Sequence, residues 1–380
     1  MHRQIWNSRP APPKQRGKDG RHSLHRVISR ICTLPPRLAG YLIRAYSRPG
    51  AIVFDPFCGK GTVPLEACLL GRTGIGSDVS PEAVSATRAA IRAPSIRVIQ
   101  EYIVAASRQV QRTIQECDVS VVPAEVVQFY HSSTLRELLA WRRVLQKSRS
   151  DAANCVQGLL LGILHGKGSY FLSLQCSHSY SMSPTYVRSY VAKHGLIASY
   201  RNVADCLLRR VKEVMADGAA PVRGRAYRSD ARQLSIKDGV ADLILTSPPY
   251  FSVHRYARDN WLRLWFLGFE DYREVQQELI QTAEVERYRT EMKAAFREMH
   301  RVLRPRGRAL VLVGDVTLPT AKTPKRVIRT ANLLAQDAEN CGFRCEAILE
   351  DQIPQRFKVV GYMAPDGGIR TERLLVLKSA

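Results

Sequence analysis

The 380-residue chain carries 57 Lys and Arg against 34 Asp and Glu, a formal net charge of +23, with 45% apolar residues. That apolar content excludes global disorder. The excess of cations disfavours an ordinary enzyme of small metabolites and points to a polyanion whose phosphates offset the charge.

Residues 1–30 carry Arg9, Lys14, Arg16, Lys18, Arg21, Arg26 and Arg30 against the single acid Asp19, with Pro10, Pro12 and Pro13 among them. This run reads as a basic flexible arm, and its acid-poor character overlaps that of an organelle transit peptide. From Leu34 the pattern turns helical, with Leu38, Tyr41, Leu42 and Ala45 three and four residues apart behind Pro35 and Pro36. A strand over 51–54 follows, then the loop Asp55-Pro56-Phe57-Cys58-Gly59-Lys60-Gly61-Thr62 and a helix ended by Gly71. A second short strand over 74–78 ends in Asp78, and Ser80 is placed to cap a helix that has Pro81 at its first position. Strand, helix, strand, helix at this spacing begins a doubly wound, mostly parallel α/β sheet.

The alternation then stops. Residues 95–220 are mostly helical by period, as in Leu135, Leu138, Leu139 and in Leu207, Leu208, Val211, Val214. This helical insertion separates residues 31–94 from 221–380, which together form the catalytic domain. Its Tyr170, Phe171, Tyr180, Tyr186, Tyr190 and Tyr200 alternate with Lys167, Arg188, Lys193, His194 and Arg201. That mixture suits a nucleic-acid surface as a region, although each tyrosine taken singly reads better as packing within a helical lobe. The sheet pattern resumes near Arg223, and strand 240–245 runs into Thr246-Ser247-Pro248-Pro249-Tyr250. Met292, Ala295, Phe296, Met299, Val302 and Leu303 form an amphipathic stripe ended by Pro305-Arg306-Gly307. Strand 309–313, a helix over 326–340 and strand-like runs over 344–349 and 373–377 follow, the last two suited to an antiparallel closing pair.

No apolar run reaches the ~18–20 residues that cross a bilayer. The nine cysteines are dispersed without a Cys-x-x-Cys unit. Together these point to reduced thiols in the cytoplasm and to no metal site.

Asp55 and Asp78 stand at the carboxyl ends of adjacent strands, where open α/β sheets bind ligands, and Asp78 sits at the distance expected of an acid that accepts from ribose hydroxyls. Gly59 and Gly61 allow close approach of backbone to a cofactor. Pro64 stands where the dinucleotide fingerprint has its third glycine, which argues against a dehydrogenase. The two prolines of 246–250 remove two backbone donors and leave rigid carbonyl acceptors, with the Ser247 hydroxyl on one side and the Tyr250 ring on the other. Such a turn fits an exocyclic amine on a stacked base, its hydrogens held by Ser247 and the Pro248 carbonyl. The base must leave its duplex to reach it. Arg255 and Arg258 then read as phosphate contacts at the mouth, and Trp261, Leu264 and Trp265 as core.

Asp55-Pro-Phe-Cys-Gly-Lys-Gly-Thr62 with Thr246-Ser-Pro-Pro-Tyr250 resembles the amino-methylating DNA methyltransferases, in the cytosine-N4 form that has Ser-Pro-Pro-Tyr. Leu34–Tyr46 resembles the family's cofactor-flanking helix, Ser77-Asp78 its ribose-binding acid and Arg228-Ser229-Asp230-Ala231 its adenine-side acid. The order of cofactor loop, insertion and catalytic loop is similar to the unpermuted, alpha-like arrangement. The resemblance implies a Rossmann-like methyltransferase sheet and S-adenosylmethionine as cofactor, held by Asp55, Pro56, Phe57, Gly59, Gly61, Thr62, Asp78 and Asp230. Asp55 would lie near the methionine amino group. It implies catalysis by Ser247, Pro248, Pro249 and Tyr250 on double-stranded DNA bound through Lys167, Arg188, Lys193, Arg255 and Arg258, with a restriction endonuclease as companion. Lys60 departs from the serine usual in the glycine loop. Adenine N6, an RNA base, or a catalytically silent nucleic-acid binder are the other readings of the same residues.

Overall fold

The computed structural model describes residues 21–30, 33–175, 184–249, 256–282, 284–318, 326–352 and 371–379. After a 3₁₀ turn at Ser23–Arg26, the first half runs α1 (Pro36–Tyr46), β1 (Ile52–Asp55), α2 (Thr62–Leu69), β2 (Thr73–Asp78) and α3 (Pro81–Ile91). Six helices follow: α4 (Ile96–Thr113), α5 (Ala124–Val127), α6 (Ser132–Gln146), α7 (Asp151–Ile163), α8 (Pro184–His194) and α9 (Val203–Val214). The sheet resumes with β3 (Arg225–Arg228) and β4 (Ala241–Thr246), followed by α10 (Tyr256–Asp259), α11 (Trp261–Leu267), α12 (Tyr272–Glu278) and α13 (Val285–Val302). The chain closes with β5 (Leu303–Gly314), β6 (Val316–Leu318), β7 (Arg326–Ile328), α14 (Thr330–Glu339), β8 (Phe343–Gln352) and β9 (Thr371–Ser379).

Among the described residues seven strands form one sheet in the order β3-β2-β1-β4-β5-β9-β8. The first five are parallel, and β9 lies antiparallel between β5 and β8. Strands buried on both faces must be apolar at every position rather than at alternate ones. Val53, Leu243, Leu245, Leu310 and Leu312 face Leu38, Leu42 and Ile43 of α1. Phe54, Ile244 and Val311 face the other way, onto Met292, Phe296 and Met299 of α13 and Leu334 of α14. Phe296 is fully buried, so its truncation to Ala would cost about 3–5 kcal/mol. A third cluster joins α3, α4, α6, α7 and α9 to Leu24, Val27 and Ile28, so these helices are fastened to the edge of the sheet by one continuous core.

Three details differ from the sequence expectation. The boundary of the basic arm lies earlier than residue 30, because His22, Leu24, His25, Val27 and Ile28 are buried. The helix expected over 326–340 begins at Thr330, residues 326–328 instead pairing antiparallel with 316–318. Ser80 precedes α3 as expected but makes no side-chain cap. Its backbone N–H donates to Asp78 Oδ1 at 2.9 Å instead.

Candidate active site

The strand order reverses between β1 and β4, which opens a crevice at their carboxyl ends. Val53 pairs with Leu243 and Phe54 with Ile244, so Asp55 and Thr246 leave the sheet side by side. Thr246 Oγ1 donates to Asp55 Oδ1 at 2.6 Å, and the Phe57 N–H donates to the same oxygen at 3.1 Å. Burial raises the Asp55 carboxyl to about 7 against these two bonds, which favour the charged form.

The loop behind Asp55 is held against β2. Cys58 N–H donates to the Ser77 carbonyl and Gly59 N–H to Asp78 Oδ2, each at 2.9 Å. Gly61 has φ +82°, and a Cβ there would stand 2.9 Å from the Thr87 Cα and 2.7 Å from its Oγ1. This glycine is therefore required by the close approach of α3, a different reason from contact with a cofactor. Burial pushes the Cys58 thiol well up, and its sulfur lies 3.3 Å from Thr87 Oγ1, an environment that does not make a nucleophile.

A cleft opens above this loop, lined by Arg30, Phe57, Gly59, Asp78, Asp230, Ser247, Pro249, Tyr256 and Glu278 with their neighbours. It brings together Phe57, Gly59, Asp78 and Asp230 from the candidate cofactor set and Ser247 and Pro249 from the candidate catalytic turn. Asp55 lies buried beneath, tied to Thr246. Pro56, Gly61, Thr62 and Pro248 do not line the cleft; Thr62 starts α2, buried. Asp230 is already engaged, its carboxylate accepting from Arg232 Nη2 at 2.5 Å and from Arg232 Nε. Tyr250 and Arg255 lie outside the described residues, as do Tyr180 and residues 1–20.

Arg258 is on α10, two residues from the cleft-lining Tyr256. Lys167, Arg188 and Lys193 are exposed on the helical insertion and do not line that cleft, with Arg188 Nη2 3.7 Å from Glu125. On α8 the rings of Tyr186 and Tyr190 stack at 5.8 Å, and Tyr190 meets His194 at 4.3 Å. Tyr170 and Phe171 instead stack on each other against the core. Leu264 and Trp265 are buried, as a core role requires.

Two residues of the site, Tyr288 and Arg30, escaped the sequence reading. Tyr288, buried on α13, donates its hydroxyl hydrogen to the Pro249 carbonyl at 3.0 Å and so pins the proline turn. Arg30, read as part of the arm, is in the cleft wall with Nη1 2.9 Å from Glu82 Oε1. Tyr256 lies under its guanidinium, 5.5 Å from carbon to ring centre. The signal available for Arg30 was the spacing of Leu24, Val27 and Ile28, an apolar helical face inside a basic run.

The strand order and its antiparallel insertion define the class: this is a Rossmann-like, mostly parallel α/β sheet carrying a mainly helical insertion. A family model described as DNA methylase matches residues 1–89 of the chain. No curated protein sequence matches. Among solved structures, the chain is similar to an S-adenosylmethionine-dependent methyltransferase from Methanosarcina mazei, with 11% identity over 92% of this chain and 99% of that one, TM-score 0.38. It is similar to TrmN from Thermus thermophilus at 14% identity over 94% of this chain and 52% of that one, TM-score 0.35. A TehB-like S-adenosylmethionine-dependent methyltransferase from Corynebacterium glutamicum is 12% identical over 90% of this chain and 86% of its own length, TM-score 0.32. Among the described residues no helix is long and apolar enough to cross a membrane.

Proposed function

We propose that this protein is an S-adenosylmethionine-dependent DNA methyltransferase that modifies an exocyclic amine, that of cytosine N4, on a base turned out of the duplex. The observation that carries this reading is the shared cleft. Gly59 and Asp78 from the β1 and β2 ends face the same space as Ser247 and Pro249 from the β4 end. The match of residues 1–89 to DNA methylases supports it from the sequence side, and the net charge of +23 supports a polyanionic substrate.

The residues present fit the cofactor. A buried acid, a glycine loop held open by positive φ at Gly59 and Gly61, and a second acid line up along the crevice. Phe57, Gly59, Asp78 and Asp230 form the cofactor side of the cleft, with Asp55 beneath it and Pro56, Gly61 and Thr62 shaping the loop from behind. When bound, S-adenosylmethionine supplies an electrophilic methyl group. Ser247 and the Pro248 carbonyl grip the hydrogens of the base amine, which draws electron density onto a nitrogen otherwise delocalised into the ring. Tyr288 keeps the Pro249 carbonyl fixed, so that the turn does not relax as the base enters. Tyr250 stacks on the base. The amine proton leaves to solvent after transfer, so no dedicated base is required. Helices α4–α9 and their connections serve as the target-recognition region, with Lys167, Arg188 and Lys193 there on phosphates and Arg255 and Arg258 as further phosphate contacts.

Ser247, with no carboxylate or amide at that position, favours cytosine. The test is methyl transfer from tritiated S-adenosylmethionine to duplex DNA and to RNA, followed by mass spectrometry of the nucleosides. N4-methylcytosine in DNA is the expected product. N6-methyladenine would correct the base, and label in RNA alone would correct the substrate. No transfer to either polymer would overturn the reading.

A further inference from the structure

A second pocket, of about 300 Å³, lies where the helical insertion meets the sheet, and it shares no lining residue with the cleft above the glycine loop. Three arginines line it from three places: Arg88 on α3, Arg142 on α6, and Arg149 in the connection from α6 to α7. Gln146, Ser148, Asn154 and Gln157 are the other polar residues of its wall, and among the described residues no carboxylate lines it.

The chain treats its arginines differently elsewhere. Arg30, Arg232, Arg289 and Arg373 each meet a carboxylate within ion-pair distance. Among the described residues, Arg88, Arg142 and Arg149 make no ion pair. Two acids act on them only from further away. Asp151 is committed to Arg92 at 2.7 Å and Arg223 at 3.1 Å, and Glu270 favours the charge of Arg142 from beyond ion-pair distance. Burial, and then the like charges of Arg149 and Arg92, lower the Arg88 guanidinium from its usual value.

Mutually repelling side chains would spread into solvent, yet these are anchored. Arg88 Nη2 donates to the Ala226 carbonyl of β3 at 3.0 Å. The Arg142 guanidinium lies 6.0 Å from the Trp265 ring centre. Its Nη2 would be 3.3 Å from a Cβ on Gly268, the left-handed residue that ends α11. Asn154 Nδ2 donates to the Arg149 carbonyl at 3.2 Å and holds the backbone from which Arg149 projects. Gln157 Nε2 donates to Ser85 Oγ at 3.1 Å, bracing α7 on α3.

We infer that this pocket is a binding site for a phosphoryl group, with Arg88, Arg142 and Arg149 as its cations. A carboxylate is satisfied by one guanidinium fork, whereas a phosphoryl group has more oxygens and more charge to share among three. Leu145, Phe266 and Leu267 add an apolar wall on which a sugar beside the phosphate can pack. A free nucleotide and a nucleic-acid backbone both carry this chemistry. The site takes no residue from the cleft, so it stands apart from the methyl-transfer reading.

The test titrates inorganic phosphate, and separately a short duplex DNA, into the full chain by calorimetry. Arg142→Gln/Arg149→Gln is compared with Arg108→Gln/Arg112→Gln, which removes equal charge from exposed positions on α4. Phosphate is expected to bind the wild type saturably, at least about tenfold more weakly to the pocket variant, and normally to the control. A urea midpoint no lower than the wild type's shows that the loss is not unfolding. Arg149→Gln alone, which alters one exposed side chain, should give a smaller loss in the same direction. A DNA salt dependence shallower than the control's by about one unit, with phosphate competing, assigns the group to the backbone. Weaker phosphate binding with DNA binding equal to the control's assigns it to a free phosphate ester. No difference between the pocket variant and the control in either titration overturns the site and leaves the methyl-transfer reading untouched.

Discussion

Thr246 and Asp55, 191 residues apart in sequence, are joined by a 2.6 Å hydrogen bond from the Thr246 hydroxyl to Oδ1 of the carboxyl group. The bond ties the last residue of β4 to the last residue of β1 at the point where the sheet order reverses. The proline turn begins at the next residue, so one contact sets the spacing between the glycine-loop half and the proline-turn half of the crevice. It also biases Asp55 toward its charged form, against the burial that raises this group to about 7.

Cofactor affinity is therefore expected to depend on pH through Asp55. Pairing with an ammonium group needs the carboxylate, and below about 7 the unliganded protein holds this group protonated, so binding releases a proton. Affinity should rise about tenfold per pH unit up to that point and then level off. Thr246→Val removes a bond that favours the carboxylate, and should move the break in the curve to higher pH. The sign for stability is opposite. A carboxyl whose folded pKa is raised adds stability that is complete below about 4 and is lost as pH rises through about 7. Asp55→Asn should thus stabilise the cofactor-free protein above pH 7 by on the order of 2–4 kcal/mol while weakening cofactor binding. Calorimetric titrations and urea melts across this range check both. An affinity that is flat with pH would mean that Asp55 does not meet the ammonium.

Tyr288→Phe isolates the support of the proline turn. Loss of the hydroxyl leaves the Pro249 carbonyl without its 3.0 Å donor, at a stability cost of about 1 kcal/mol. The larger consequence is positional, since a catalytic acceptor displaced by a fraction of an ångström costs roughly 10–100-fold in rate. Single-turnover methyl transfer should slow by that factor, with the cofactor dissociation constant unchanged. A fall in cofactor affinity with normal single-turnover rate would assign Tyr288 to the cofactor side instead.

The strands of the sheet were legible because a strand buried on both faces is apolar at every position, as in Ile52-Val53-Phe54 and Leu243-Ile244-Leu245. Asp55 was legible for a related reason, since it ends such a run, where a charge has no use in a core; Asp78 was legible only as the acid closing the short strand over 74–78. Tertiary partners were not. Arg30 meets Glu82 from 52 residues away and Tyr288 meets Pro249 from 39 away, and no local period encodes either contact. Where two local signals compete, the sheet decides. Pro305-Arg306-Gly307 reads as a turn before a strand, yet β5 runs through it from Leu303. A register shift between Ala241 and Leu243 and φ +67° at Arg306 take up the irregularity.

Lys60 stands in the glycine loop where the resembling family has serine, and its placement makes it a liability whose size depends on pH. Its Nζ donates to the His25 carbonyl at 3.4 Å, and burial, with Arg21 nearby, lowers the ammonium group from 10.5 to about 8. A base with a depressed folded pKa is destabilising while it must carry its charge. The folded state pays below about 8, and stability rises with pH between about 8 and 10.5, where the unfolded chain binds the extra proton. Lys60→Met keeps the length of the side chain and removes the charge. At pH 7 it should stabilise the protein by about 1–2 kcal/mol, less than the full shift implies because the side chain is only partly buried. As pH rises from about 8 to 10.5 the gain should shrink toward zero, because the unfolded lysine also loses its proton by the end of that range. Urea midpoints at neutral and at high pH measure the difference directly. A gain of equal size at both would assign it to packing of the methionine, with the lysine charge playing no part.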